Sequence, residues 1–205
     1  MLLLGEVRTL THRYKAGKNP DSFLAFRDLI QLLLGNTILP TGASARLSKG
    51  PRKDAYVVGG NGGPTDSLPL MDGRFLRLTM RLFLTATNDG QRVKVESSSF
   101  QYQTDKTGDR WIFRYDYVRS APDQHPSAHA HIRGSLAEPC LAAKQALEDV
   151  HFPTQRVSLE SVIRLLIEQF NVPSTYPTEV WRPLLAESEA LFLAIAHQSL
   201  SGPDH

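Results

Sequence analysis

Apolar residues recur at helical spacing between Ser22 and Leu34, where Phe23, Leu24, Phe26, Leu29, Ile30, Leu33 and Leu34 would bury one face of a helix. Asp21 or Ser22 supplies an acceptor for the first unpaired backbone N–H groups, and Gly35-Asn36 a left-handed stop. From Arg74 the period drops to two. Leu76, Leu78, Met80, Leu82 and Leu84 alternate with Arg77, Thr79, Arg81 and Phe83, the pattern of a half-buried strand. Asn88-Asp89-Gly90 predicts a hairpin turn into a second strand, Arg92 to Gln103. Asp105 to Asp109 turns the chain again, and Trp111, Phe113, Tyr115 and Tyr117 alternate through a third strand, Arg110 to Arg119. After a proline-containing loop, Ser120 to Pro126, a fourth short strand is predicted from Ala128 to Gly134.

The remainder reads as helical. Leu141 to Val150 is a moderate helix, and Ser158 caps a stronger one whose stripe is Leu159, Val162, Ile163, Leu166 and Phe170. A last helix covers about Thr178 to Leu200, with Pro183 tolerable near its start. These elements predict an α+β fold: a four-stranded antiparallel meander with an N-terminal helix and C-terminal helices packed on one face.

Two stretches stand outside that pattern. The residues before Ser22 read as a basic arm (Arg8, His12, Arg13, Lys15, Lys18), partly strand. Residues 35–73 hold eight glycines and four prolines, which predicts a flexible loop interrupted by a short strand from Ala55 to Val58. Within it, Arg46, Lys49, Arg52 and Lys53 form a basic cluster that reads as a solvated surface.

Composition narrows the class. The chain has 205 residues, 41% hydrophobic and 21% charged, which fits one globular domain and neither a disordered chain nor a coiled coil. No run of about 18 apolar residues could span a membrane, and Met1-Leu2-Leu3-Leu4, followed at once by Gly5-Glu6, is too short for a secretory signal. The single cysteine, Cys140, leaves no internal disulfide and points to a reducing cytoplasm. A net charge of +2 is too small to argue for nucleic acid by itself.

The chemistry concentrates in His125-Pro-Ser-Ala-His129-Ala-His131. If 128–134 is extended, Ala128, Ala130, Ile132 and Gly134 face the core, while His129, His131 and Arg133 share the other face. The aromatic residues of the preceding strand take the core side, which leaves Arg114 and Asp116 beside the histidines. Arg77 and Arg81 join them by the same parity. Imidazole titrates near neutrality and can act as general base and general acid in one cycle. Guanidinium groups bind phosphate bidentately and stabilise charge developing on it. The grouping therefore predicts metal-independent RNA cleavage, with His129 and His131 exchanging protons, Asp116 orienting a histidine, and Arg114, Arg133, Arg77 and Arg81 binding phosphate. That mechanism needs no cofactor and no metal.

Other uses of the same residues compete with it. A one-sided antiparallel sheet places polar groups outside without any reaction. His129 and His131, with His125 or Asp116, offer three metal ligands but no evident fourth. Cys140 has no adjacent cation to activate it and reads as a small core residue. The chain holds neither a Gly-Lys-Ser/Thr phosphate loop nor a Gly-x-Ser-x-Gly elbow.

Phe113-Arg114-Tyr115-Asp116-Tyr117, followed by the His125–His131 cluster and a helix, resembles TumE-type toxins of bacterial toxin–antitoxin modules over about 60 residues. That resemblance implies a small α+β toxin or defence effector with a cognate antitoxin as partner. The order of helix, meander, His125-Pro126, cysteine and helices is similar to ubiquitin-conjugating domains, as is the stretch from His151 into the following helix. Ser127 replaces that family's asparagine and Cys140 lies farther downstream than its cysteine, so the resemblance implies an inert scaffold. The alternative to an RNA-directed enzyme is thus a non-enzymatic protein-interaction module, binding through apolar helix faces such as those of Leu166 or Leu193.

Overall fold

The computed structural model describes residues 2–16, 21–50, 55–60, 66–87, 90–121, 126–134 and 151–198. Its elements run α1 (Leu2–Ala16), α2 (Asp21–Gly35), β1 (Arg46–Lys49), β2 (Ala55–Gly59), β3 (Ser67–Pro69), β4 (Phe75–Thr87), β5 (Gly90–Gln103), β6 (Trp111–Val118), β7 (Ala128–Ile132), β8 (Phe152–Pro153), α3 (Leu159–Phe170) and α4 (Thr178–Gln198). The fold is α+β, and every strand pairing is antiparallel. The predicted meander is the centre of a wider sheet, ordered β1-β2-β4-β5-β6-β7-β8, with β3 pairing β4 off that path.

The N-terminal segment is a helix, where an arm with strand character was expected. Val7, Leu10, Thr11 and Tyr14 recur at intervals of three and four and are buried, while Arg8, His12 and Arg13 point to solvent. Helix α2 follows its predicted stripe, with Phe23, Phe26, Leu29, Ile30 and Leu33 buried. Its C-terminus closes differently from the expected glycine stop, since neither Gly35 nor Asn36 takes a positive φ. Instead Thr37 Oγ1 donates to the Leu33 carbonyl at 2.6 Å, and Asn36 Nδ2 to that of Leu32 at 2.7 Å, which also accepts the Asn36 N–H.

Three short strands interrupt 35–73, where only the stretch at Ala55 to Val58 was foreseen, and β1 and β3 correct the loop expectation there. The β4–β5 ladder runs to Thr87↔Gly90. Residues 88–89 at the predicted hairpin turn lie outside the described residues, as do His125, Cys140 and the helix expected over 141–150.

Helix α3 has its predicted cap and stripe, and α4 (Thr178–Gln198) lies in the predicted range with Pro183 near its start. Ser158 accepts the Ser161 N–H at 3.0 Å, and Asn171 closes α3 in the left-handed region with φ 54°. All four helices and the sheet share one hydrophobic cluster, in which Val7, Phe26, Ile163, Leu166 and Leu185 meet Leu78, Phe100, Tyr102 and Phe113. Full burial of each such side chain contributes about 1.5–3 kcal/mol. Leu166 is fully buried while Leu193 is exposed, so only the latter is a surface residue of the two proposed for partner binding.

A polar seam docks α4 onto α3. Glu189 accepts hydrogen bonds from Ser158 and Ser161 and an ion pair from Arg164, while Ser188 Oγ donates to the buried Glu160 at 2.5 Å. Burial pushes the Glu160 carboxyl above its ordinary range, against the Ser188 hydrogen bond. Among the described residues no helix is long and apolar enough to cross a membrane.

Candidate active site

Register fixes which residues meet. Arg77, Gln101, Arg114 and His131 form one row across β4, β5, β6 and β7, and Thr79, Ser99, Asp116 and His129 form the next. A third begins with Arg81, Ser97 and Val118. These rows lie on the face opposite Leu78, Phe100 and Ala130, because successive strand residues alternate sides. Ile132 keeps the apolar parity but sits near the sheet margin and is 45% exposed.

The second and third rows, with Arg114 and His131 of the first, line a cleft of about 420 Å³, whose lining includes Arg81, Ser97, Ser99, Asp116, His129 and His151. Asp116 is its hub. Its Oδ2 accepts Arg114 Nε at 2.7 Å and lies 3.6 Å from His131 Nε2 and 3.9 Å from His129 Nε2. The two longer separations exceed hydrogen-bond length, so they hold the rings beside the carboxylate without tying them to it. His129 and His131 are 3% and 5% exposed, far more enclosed than an open sheet surface implies. Such enclosure weakens solvent screening and strengthens each charge in the cleft.

Two predicted phosphate ligands do not line this cleft. Arg77 Nη2 donates to the Thr107 carbonyl at 2.5 Å, and its guanidinium lies beneath Gly108. Arg133 donates to the Asp109 carbonyl and stacks 6.0 Å over Trp111. Both reach toward the 104–110 turn, at the end of the sheet away from Arg81. Arg81 and Arg114 remain in the lining. That turn is organised by Asp105, which accepts from Thr107 Oγ1 and from the backbone N–H of Gly108, Asp109 and Arg110. Partial burial opposes ionisation of Asp105, but those hydrogen bonds outweigh it and hold the carboxyl at about 2.

The structure adds one residue that the sequence reading did not place here. His151 precedes β8, whose pairing His129↔Pro153 and Ala130↔Phe152 brings it beside β7. Its ring meets those of His129 and His131 edge-to-face, with centroids 4.8 and 4.7 Å away, and those two are 4.9 Å apart. One nitrogen from each of the three rings lies within 4.8 Å of the other two. His129 Nδ1 stands 3.2 Å from the Pro126 carbonyl oxygen. A carbonyl only accepts, so this contact puts the ring proton on Nδ1 and the lone pair on Nε2, toward Asp116. The arrangement can move protons, bind an anion through Arg81 and Arg114, or offer imidazole nitrogens to a cation.

No family model, no curated protein and no solved structure matches this chain.

Proposed function

We propose that the chain cleaves phosphodiester bonds of RNA in this cleft, as a bacterial toxin or defence effector. The observation that carries the reading is the Arg114–Asp116 pair, set within 3.9 Å of two imidazoles in a cleft that Arg81 also lines. A guanidinium matches a phosphate with two parallel N–H donors and neutralises the charge that grows on it during displacement. A volume of about 420 Å³ falls in the range of small-ligand sites, enough for a phosphate with its flanking sugar. Ser97 and Ser99 offer hydroxyls to that sugar.

The chemistry specific to RNA is attack by the 2′-oxygen on the adjacent phosphorus. The O2′–P bond forms, the P–O5′ bond breaks, and the products are a 2′,3′-cyclic phosphate and a 5′-hydroxyl. One proton leaves O2′ and one must reach O5′. The metal-free route assigns both transfers to His129 and His131, with the nearby Asp116 carboxylate favouring whichever ring carries the charge.

The test is direct. Purified full-length chain is incubated with end-labelled RNA and with DNA of the same sequence, and the product termini are analysed. RNA cut to cyclic-phosphate ends, with DNA intact, is the expected result. RNA left whole in chelator and in every divalent metal tried would reject the reading, as would full cleavage by a His129→Ala/His131→Ala variant.

A further inference from the structure

The geometry points to a binding site for one divalent transition-metal ion of the zinc class, formed by His129, His131 and His151. One nitrogen of each ring lies within 4.8 Å of the others. Two of the ligands are fixed two residues apart on one face of β7, and pairing of β8 with β7 delivers the third. A zinc ion at about 2.0–2.1 Å from each nitrogen would draw a tetrahedral set to about 3.4 Å apart. The cluster must therefore close by little more than an ångström, and His151, its exposed member, has the room to do so.

A second observation comes from outside the cluster. Metal-binding imidazoles commonly donate their other N–H to a carbonyl or carboxylate, which fixes tautomer and orientation. His129 has that partner in the Pro126 carbonyl, 3.2 Å from Nδ1. Neutral imidazole suits zinc, copper, nickel or iron and is a poor ligand for magnesium or calcium, which select oxygen.

Three histidines leave one position of a tetrahedral ion open, the pattern of catalytic zinc as opposed to closed structural zinc. Asp116 Oδ2, 3.6 Å from His131 Nε2 and 3.9 Å from His129 Nε2, stands where it would accept a hydrogen bond from water in that position. Arg114 Nε donates to the same oxygen at 2.7 Å and fixes its position. The ion site stands on the imidazole geometry alone. Its consequence for catalysis rests on the phosphodiester reading: with the ion bound, the three imidazoles are ligands, the hydroxide formed when metal-bound water loses a proton would take the proton from O2′ and become water again, and cleavage becomes metal-dependent.

The experiment uses the untagged full chain stripped with a chelator. Cobalt(II) is titrated in by visible absorption and zinc by calorimetry, with magnesium as control. Expected are one ion per chain, an intense tetrahedral cobalt spectrum displaced by zinc, and no saturable magnesium binding. His151→Ala should weaken zinc binding at least tenfold and abolish the cobalt spectrum. Its thermal transition should not move, because that residue is exposed. No saturable binding, or equal affinity in His151→Ala, overturns the site. Stoichiometric binding with RNA intact in every metal state keeps the site and rejects the phosphodiester reading. Cleavage by a stripped chain that binds no ion does the reverse.

Discussion

Asp116 and His129 are direct cross-strand partners, yet the shortest bond of the carboxylate is along its own strand, to Arg114 Nε at 2.7 Å. Arg114 thus sets the direction in which Asp116 faces the imidazoles. Replacing it by Gln should remove both a phosphate donor and this alignment. We expect RNA turnover to fall about 10²–10³-fold, the usual effect of losing one preorganised donor. Arg114→Lys should restore little, since an ammonium lacks the planar fork. Steady-state kinetics check this, and wild-type turnover in Arg114→Gln would remove Arg114 from the reaction.

Glu160 is predicted to cost stability at neutral pH. Its folded-state pKa is raised, so the folded chain favours the protonated form. Stability is then greatest below the unfolded pKa and declines as pH rises toward the folded one. Glu160→Gln keeps an acceptor for Ser188 and removes the charge. Thermal melts at pH 7.5 should show a gain on the order of 1 kcal/mol, or ~2–4 °C. The gain should vanish near pH 4. A lower melting temperature at pH 7.5 would show that the ionised group is stabilising after all.

Asp105 runs in the opposite sense. Its carboxyl sits at about 2 in the fold, below its unfolded value, so its contribution is present above the unfolded pKa and is lost as pH falls through about 2. Asp105→Ala should melt earlier than wild type at pH 7, and the two curves should converge between pH 4 and pH 2. A difference that stays constant over that range would argue that the turn does not depend on the ionised carboxyl.

Gly108 and Gly42 make a matched pair. Both have positive φ, 88° and 91°, but a Cβ at Gly108 would meet Arg77 Nη2 at 2.7 Å while one at Gly42 meets nothing within 4 Å. Each change to Ala should cost about 1 kcal/mol for backbone strain. The Gly108 variant should lose more, by urea denaturation, because it also displaces Arg77 from the Thr107 carbonyl. Equal losses would mean that the Arg77 contact adds nothing.

The parts legible in the sequence were those with unbroken periodicity. Helix α2 and the Ser158-capped α3 declared themselves through apolar stripes, and β4 to β7 through alternation. Two residues escaped it: a register shift after Tyr102 sets Trp111 opposite Gln103 and under Arg114 and Arg133, not among the core aromatics, and Ile132 is exposed. Helix α1 was obscured because its buried positions are few and set among cations. Strands β1 and β3 are three or four residues long, too short for a period to register. Parity also carries no information about position along a strand. Arg77 and Arg81 share a face, but only register shows that one reaches the 104–110 turn and the other the cleft. His151 was illegible for another reason: its approach depends on a two-residue pairing between β7 and β8, which no local pattern encodes.

That pairing has a thermodynamic consequence. A ladder of two residues at a sheet margin opens for far less free energy than the central β4–β5 ladder, whose partners run from Phe75↔Gln103 to Thr87↔Gly90. Detachment of Phe152 and Pro153 would carry His151 away from His129 and His131 while the rest of the sheet stayed intact. Any ligand that grips all three must therefore slow amide exchange at this margin, and occupancy becomes readable from a backbone the ligand never touches.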